Sequence, residues 1–409
     1  MKKMRKTIAF FMAMAMLAGV AALAMEDSGT ITVALRIEGV EEMLYYDYIL
    51  IGEGSTVEDL MRVVGGIEDE LGIVIESYST GDTYISEIAG LAEYEYGGFS
   101  GWSFRVNDVS PTVGQSLVFL EDGDRVVFFY GDPWGEPGMQ YPYADLSRLY
   151  SEGLVGIFSD DEEYDDDWNM TQATNPVAGA TVTFAGTVYT TDEKGEFAIA
   201  DKAGLAGLKS LQIERYDKEA GVPTVLRLEP NTVIYVPFAD TPPDEWYSYA
   251  VWMCVVGGMF IGTDTERNLF SPETDMTMAQ LATVLGRIAG NDFNASPTTP
   301  WYASARDWAI ENGVISEGKF EAVAPLTREE FIHMFYLTSE IVGVYDMTVR
   351  ADISDAVDYD DISEEYLEAI SWAVASKIIR GTDSSALTIS PDFVVNRATV
   401  CQMIVNYER

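Results

Sequence analysis

The sequence predicts a multidomain α+β protein: an N-terminal β-grasp-like module, a small β-sandwich-like middle module, and a C-terminal all-α bundle with pseudo-threefold symmetry. Three observations predict it. Residues 30–131 alternate strand signals with one helix, residues 174–236 alternate short strands about a Lys-Gly turn, and the chain from residue 238 repeats one helical pattern three times. A chain of 409 residues is long enough for about three domains beyond an export segment.

The first 24 residues read as a signal peptide. Lys2, Lys3, Arg5 and Lys6 precede an apolar run from Ile8 to Val20, and Ala22-Leu23-Ala24 supplies small residues for cleavage. The run is shorter than the ~20 apolar residues of a membrane span, so no span is expected after cleavage.

In the N-terminal module, expected over 27–132, Ile31, Val33, Leu35 and Ile37 alternate with period two. Ser55-x-x-Glu58 reads as a capping box ahead of Val57, Leu60, Met61 and Val64, which predicts a helix. Asp122-Gly123-Asp124 turns into a buried strand, Val126–Tyr130.

Residues 133–173 read as a loop-like acidic linker, because Asp160–Asp167 is an almost unbroken run of like charge without the glycine turn of a calcium loop. From 174 to 236, Pro176–Thr183 and Thr190–Phe197 predict strands flanking a Lys194-Gly195 turn.

The C-terminal region repeats itself. Residues 262–281 and 381–400 align without a gap, sharing Gly-Thr-Asp and Ser-Pro, with Phe270 facing Ile389. Leu281, Val284, Leu285 and Ile288 map onto Val400, Met403, Ile404 and Tyr407, one face of a helix. A middle copy carries Phe320, Thr327, Phe331, Met334 and Phe335. Thr277-x-x-Gln280 and Thr327-x-x-Glu330 are capping boxes, and Asn396 is an N-cap residue at the third place. Each unit is helix, glycine-containing loop, helix, at about 238–290, 298–342 and 352–409. One such unit cannot bury its own apolar face, whereas three can share a core.

On these motifs the C-terminal region resembles S-layer homology repeats. Phe238-Ala239-Asp240, Gly258–Gly262, Phe270-x-Pro272 and Thr327-Arg328-Glu329-Glu330 carry the resemblance. It implies non-covalent binding to a secondary cell-wall polysaccharide, often pyruvylated, in grooves between repeats, and nominates Asp240, Trp246, Gly262, Arg328, Gly381 and Arg397 as contacts. Met278 departs from the pattern in the first repeat, Thr299-Pro300-Trp301 in the second, and the third opens on Tyr359-Asp360-Asp361. A pyruvate ketal presents a carboxylate that the planar guanidinium fork suits. Trp301 and Trp308 read as core residues.

Thr83–Ile88, Phe99–Asn107 and Glu121–Asp124 together resemble a transcobalamin C-terminal-like domain. In vitamin B12 carriers the related domain covers one face of the corrinoid. The resemblance nominates Tyr84, Ser100, Gly101 and Trp102 as ligand-facing and a corrinoid as the bound small molecule. Read from the residues alone, Trp102 equally suits a core position and Gly101 a bulge. Residues 174–236 are similar to a carboxypeptidase-regulatory-like module, a rigid spacer.

The net charge of −42, from 67 acidic and 25 basic residues, argues against nucleic acid as a partner and suits a secreted, soluble surface or a high-salt habitat. Cys254 and Cys401 sit among apolar residues and read as buried thiols or one bridge. His333 is the one histidine, and no Ser/His/Asp set, metal cluster or phosphate-binding loop is written in the sequence. The chain is therefore expected to be an extracellular wall or S-layer protein without catalytic residues, metal or cofactor, presenting a small-ligand module. The competing readings are a structural S-layer or adhesion protein and a wall-polysaccharide hydrolase.

Overall fold

Alternating apolar residues make β1 (Thr30–Glu38), which is followed by β2 (Met43–Gly52), helix α1 (Val57–Ile67), β3 (Val74–Ser77), β4 (Thr83–Ile88), β5 (Leu91–Ala92), β6 (Gly101–Val106) and β7 (Arg125–Gly131). The computed structural model describes residues 29–78, 82–133, 135, 138–164, 170–293, 299–380 and 386–407; the expected signal segment and Asp165–Asp167 lie outside them. The chain divides into two compact units, one of Met25–Asp201 with Ser210–Ile234, the other of Lys202–Lys209 with Tyr235–Arg409.

In the first unit, the main sheet has the order β2-β1-β7-β6, with β1 and β7 parallel and the outer pairs antiparallel. Strands β3, β4 and β5 form a separate small sheet. Val33, Leu35, Ile37, Ile49, Ile51, Val126 and Phe128 bury one face of the main sheet with Leu60, Met61 and Val64 of α1, the mixed sheet with one packed helix that the sequence predicts. The cap of α1 differs by one residue from the expected Ser55/Glu58 box. Thr56 takes the Asp59 N–H at 3.2 Å, and Asp59 takes the Thr56 N–H at 2.9 Å. Glu58 is instead drawn to Arg62 and the Thr83 hydroxyl.

The expected linker is structured. Residues 133–173 contain β8 (Pro142–Asp145), the short helix α2 (Leu149–Glu152), β9 (Leu154–Tyr164) and the start of β10 (Met170–Pro176). The acidic run begins inside β9 because the paired strand supplies donors. Thr174 gives its hydroxyl to Asp160 at 2.7 Å, and Asn175 gives its amide to Asp161 at 3.1 Å. These strands complete the middle module with β11 (Thr181–Phe184), β12 (Thr187–Thr190), β13 (Glu196–Ala198), β14 (Gly207–Glu214) and β15 (Val233–Val236). One sheet runs β10-β9-β13 with β8 also on β9, and the other runs β12-β11-β14-β15. Phe184 of β11 meets Phe197 of β13 edge-on at 6.4 Å, joining the two sheets. The module therefore starts near residue 142, and the segment before β14 leaves it: Gly204 donates to the Thr265 carbonyl at 2.8 Å and Ala206 to the Asn268 side chain at 2.9 Å.

Inside the same unit the middle module holds the outer face of the main sheet. Arg227 donates to Glu38 at 2.7 Å and to the carbonyls of Gly39 and Val40, and the Arg105 guanidinium lies 3.5 Å from the Tyr141 ring centre.

The second unit is helical: α3 (Ser248–Val256), α4 (Met278–Ile288), α5 (Ala303–Glu311), α6 (Arg328–Val342), α7 (Leu367–Ala375) and α8 (Arg397–Tyr407). The capping boxes at Thr277 and Thr327 form, and Asn396 takes the Thr399 N–H at 2.8 Å. All three repeats share one core around Cys254, Phe260, Phe270, Leu281, Phe331, Phe335, Trp372 and Ile404. Both cysteines are buried free thiols, with Cys254 Sγ 3.8 Å from the Cys401 carbonyl oxygen. The first helix of each repeat packs on the second helix of the repeat before it: α5 on α4, α7 on α6, and α3 on α8. The three repeats thus close into a ring. At its centre Met276 donates to the Val395 carbonyl, Val395 to Leu326, and Leu326 to Met276, at 2.9, 2.9 and 3.2 Å. Among the described residues, no helix is long and apolar enough to cross a membrane.

Candidate functional site

The candidate sites sit at the junctions of the ring, where the start of each second helix docks on a loop of the next repeat. Met278 donates its N–H to Ala324, Arg328 to Phe393, and Arg397 to Thr274. The three side chains are therefore equivalent, two arginines and one methionine.

At the junction of the third repeat with the first, Arg397 is 6% exposed. Its Nε donates to the Phe270 carbonyl at 2.8 Å, its second terminal nitrogen donates to Ile261 at 2.7 Å, and the guanidinium lies 4.4 Å from the Phe270 ring centre. Burial pulls its pKa below the usual arginine value. Asp240 acts one step behind. Its carboxylate takes the N–H groups of Phe270 and Ser271 at 2.8 and 2.7 Å, which fixes the loop whose carbonyl holds the guanidinium. Asp240, nominated as a sugar contact, thus spends both oxygens on the backbone.

Arg397 lines a groove of about 470 Å³ with Arg287, Gln280, Thr283, Gly262, Phe293 and Trp301, a volume within the range of small-ligand sites. Arg287 donates to the Met259 carbonyl at 3.2 Å. Gly262 is required here, since a Cβ would sit 2.6 Å from the Phe238 ring and 2.9 Å from the Leu269 carbonyl. Trp301 is 59% exposed on the groove wall and not in the core. A residue two before a helix start lies outside the apolar stripe, which periodicity alone does not register. Trp308 does pack against the core. Among the described lining residues this groove has two cations and no carboxylate; Asp240 and Asp292 act on the two arginines from behind it.

The junction of the second repeat with the third repeats the arrangement. Arg328 is 9% exposed, its Nε has no hydrogen-bond partner among the described residues, and Asp358 acts on it electrostatically. Asp358, not the expected Tyr359-Asp360-Asp361 group, is the counterpart of Asp240: it takes the N–H groups of Ile389 and Ser390 at 2.9 and 2.6 Å. A one-residue difference in loop length hid it. Gly381 lies outside the described residues. Trp246 is 57% exposed, free to face a ligand.

The remaining junction is different in kind. Met278 Sδ takes the Glu321 N–H at 3.2 Å, the position that Asp240 and Asp358 serve elsewhere. Its groove, about 550 Å³, is lined by Lys319, Glu321, Glu330, His333, Glu365 and Tyr366 among others. His333 lies 4.9 Å from the Tyr366 ring, and burial lowers its pKa.

In the N-terminal module the four nominated residues are brought to one region, around the turn that follows β4, but Ser100 and Trp102 are turned to protein partners. Trp102 donates its indole N–H to the Leu91 carbonyl at 2.9 Å and meets Tyr130 edge-on. Ser100 is buried and within 3.3 Å of the Tyr130 hydroxyl. Gly101 has room for a Cβ, its nearest neighbour being Glu93 Cβ at 3.6 Å. Tyr84 stacks on the exposed Tyr78 at 4.5 Å and donates to Glu76 at 3.1 Å, and its pKa is pushed up to about 12 by desolvation and Glu76. The Tyr78–Tyr84 stack is one ring surface of this region, and the exposed Tyr94 and Phe99 are others.

Residues 54–132 match a family described as Domain of unknown function (DUF4430). No curated protein matches the chain. The solved structures it is similar to include haptocorrin in complex with Cbi, at 18% identity and a TM-score of 0.23 over 26% of each chain. They also include a proposed metal binding protein from Ruminococcus gnavus, at 11% identity and a TM-score of 0.20 over 24% of this chain and 95% of that one. The chain spans about a quarter of the haptocorrin chain.

Proposed function

We propose that this is an extracellular wall-associated protein that works by binding: its helical ring grips an acidic secondary cell-wall polysaccharide, and its N-terminal module presents a small ligand. One observation carries the first part. In a chain of net charge −42, the groove at Arg397 gathers two largely buried arginines and an exposed tryptophan with no carboxylate on its described walls. Buried guanidinium groups beside a stacking surface suit a sugar that carries a carboxylate. The overall negative charge opposes such a polymer at long range, but screening limits that to about 8–10 Å at ordinary salt.

Sedimentation of the full chain with purified wall sacculi tests the anchoring. The chain pellets with the wall, and Trp301→Ala, which removes an exposed side chain, or Arg397→Lys releases a large share of it. A chain that stays in solution, or variants that pellet unchanged, defeats the reading. The N-terminal ligand is a corrinoid on the resemblance of the Thr83–Ile88, Phe99–Asn107 and Glu121–Asp124 motifs, and the Tyr78–Tyr84 pair is the surface that supports it. Calorimetry of the full chain with cobalamin shows heat that Tyr84→Ala reduces; absence of heat at high micromolar ligand removes the corrinoid.

A further inference from the structure

The groove at Met278 is built on the same elements as the groove at Arg397, yet its recognition elements differ together. Met278 stands where the other junctions have arginine, and its sulfur takes the N–H that an aspartate holds at the other two. Met278 therefore brings no charge to the place where Arg328 and Arg397 bring a guanidinium. The residue just before the first residue flanking α5 is Trp301, whereas the equivalent residue before α7 is Glu365. Thr283, on the wall of the Arg397 groove, is replaced by His333.

The two grooves consequently carry opposite charge. The Arg397 groove holds two arginines. Among the described residues lining the Met278 groove are Glu321, Glu330 and Glu365 and one cation, Lys319, and burial holds the His333 pKa below its usual value. Lys319 is itself informative. Its ammonium sits 3.0 Å from Glu365 on an exposed side chain, so the groove already holds an amine, on a flexible arm that an incoming one can displace. The half-buried Tyr366 and His333 rings, tilted 45° to each other, add apolar surface beside it.

We propose that the Met278 groove is an independent site for an amine-bearing ligand, an unacetylated amino sugar, with Glu365 as the ammonium partner and Lys319 as its stand-in in the empty groove. The choice of a sugar rests on the wall-glycan reading above; the choice of an amine rests on this groove alone. The ring would then hold an acidic residue and a basic residue of a wall glycan in different grooves.

The test is calorimetry of the full chain at pH 6.5 with three probes: the glucosamine trimer, its fully N-acetylated form, and a pyruvate-ketal amino sugar. The trimer binds, acetylation weakens it at least tenfold, and Glu365→Gln weakens it at least fivefold. Lys319→Met tightens it by removing the competitor, and Trp301→Ala leaves it unchanged. Equal binding of the acetylated trimer, weaker binding by Lys319→Met, or no heat with the glucosamine trimer overturns the proposal. The pyruvate-ketal probe, sensitive to Trp301→Ala, reports separately on the acidic-glycan reading, so either can fail alone.

Discussion

Replacing Arg397 with methionine copies into the third repeat what the first repeat already has at Met278, so volume and junction geometry are tolerated. The cost is electrostatic. The Phe270 carbonyl is buried and loses the Nε donor at 2.8 Å, about 1–3 kcal/mol. The Ile261 carbonyl loses its donor at 2.7 Å but belongs to an exposed residue and can turn to water, about 0.5–1.5 kcal/mol. The stack of the guanidinium on Phe270 adds about 0.5–2 kcal/mol. Relief of the buried charge offsets part of this, leaving a destabilisation of about 2–4 kcal/mol. For a unit of this size that lowers the melting temperature by about 5–15 °C. Near-ultraviolet circular dichroism of the full chain reads it, because Trp246, Trp252, Trp301, Trp308 and Trp372 all lie in the helical unit. A shift below about 0.5 kcal/mol would show that the Asp240–loop–Arg397 relay is not what holds this junction.

Three further outcomes follow from the geometry. Arg227→Met leaves Glu38 buried with Arg36 as its remaining ion-pair partner and costs the first unit about 3–5 kcal/mol in denaturant unfolding, whereas replacing the whole triad, Arg36→Met, Glu38→Leu and Arg227→Met, recovers most of that. Thr277→Ala and Thr327→Ala each cost the helical unit about 1 kcal/mol, through the same lost cap, by thermal melting. Asp192 and Asp217 are held below the usual carboxylate pKa, Asp192 chiefly by the N–H of Glu196 and Asp217 by that of Ala220. Their stabilisation is fully present above the unfolded value of 3.8 and is lost as pH falls through the depressed folded values. An Asp192→Asn, Asp217→Asn variant is therefore less stable than the parent at pH 6, and the gap closes in acid titration as the pH falls through the depressed folded values.

What could be read in advance was local. The caps at Thr277 and Thr327 need only a hydroxyl and a carboxyl or carboxamide three residues apart, and both formed. The Ser55/Glu58 and Thr56/Asp59 boxes overlap by one residue, and the choice between them came from Thr83 and Arg62, which claim Glu58 from elsewhere in the fold. The acidic strand β9 was hidden because Asp160 and Asp161 gain their partners from β10, not from their own segment. Asp358 was passed over for a nearer match in letters at Tyr359–Asp361. The periodic stripes located the second helix of each repeat, and the first helices came from the repeat pattern, but neither carried information on which helix packs on which. Trp102 illustrates the remaining limit: the same side chain suits a ligand or a core, and only the fold shows its indole N–H on the Leu91 carbonyl.

The cycle of Met276, Leu326 and Val395 has neither a beginning nor an end, although the polypeptide does. A version with its termini moved to the loop between the first and second repeats should retain all three central contacts. Deleting any single repeat removes two of the three, so the structure fails as a whole and not by thirds. Lengthening such a protein by duplication therefore calls for another complete ring, which makes the number of grooves grow in steps of three.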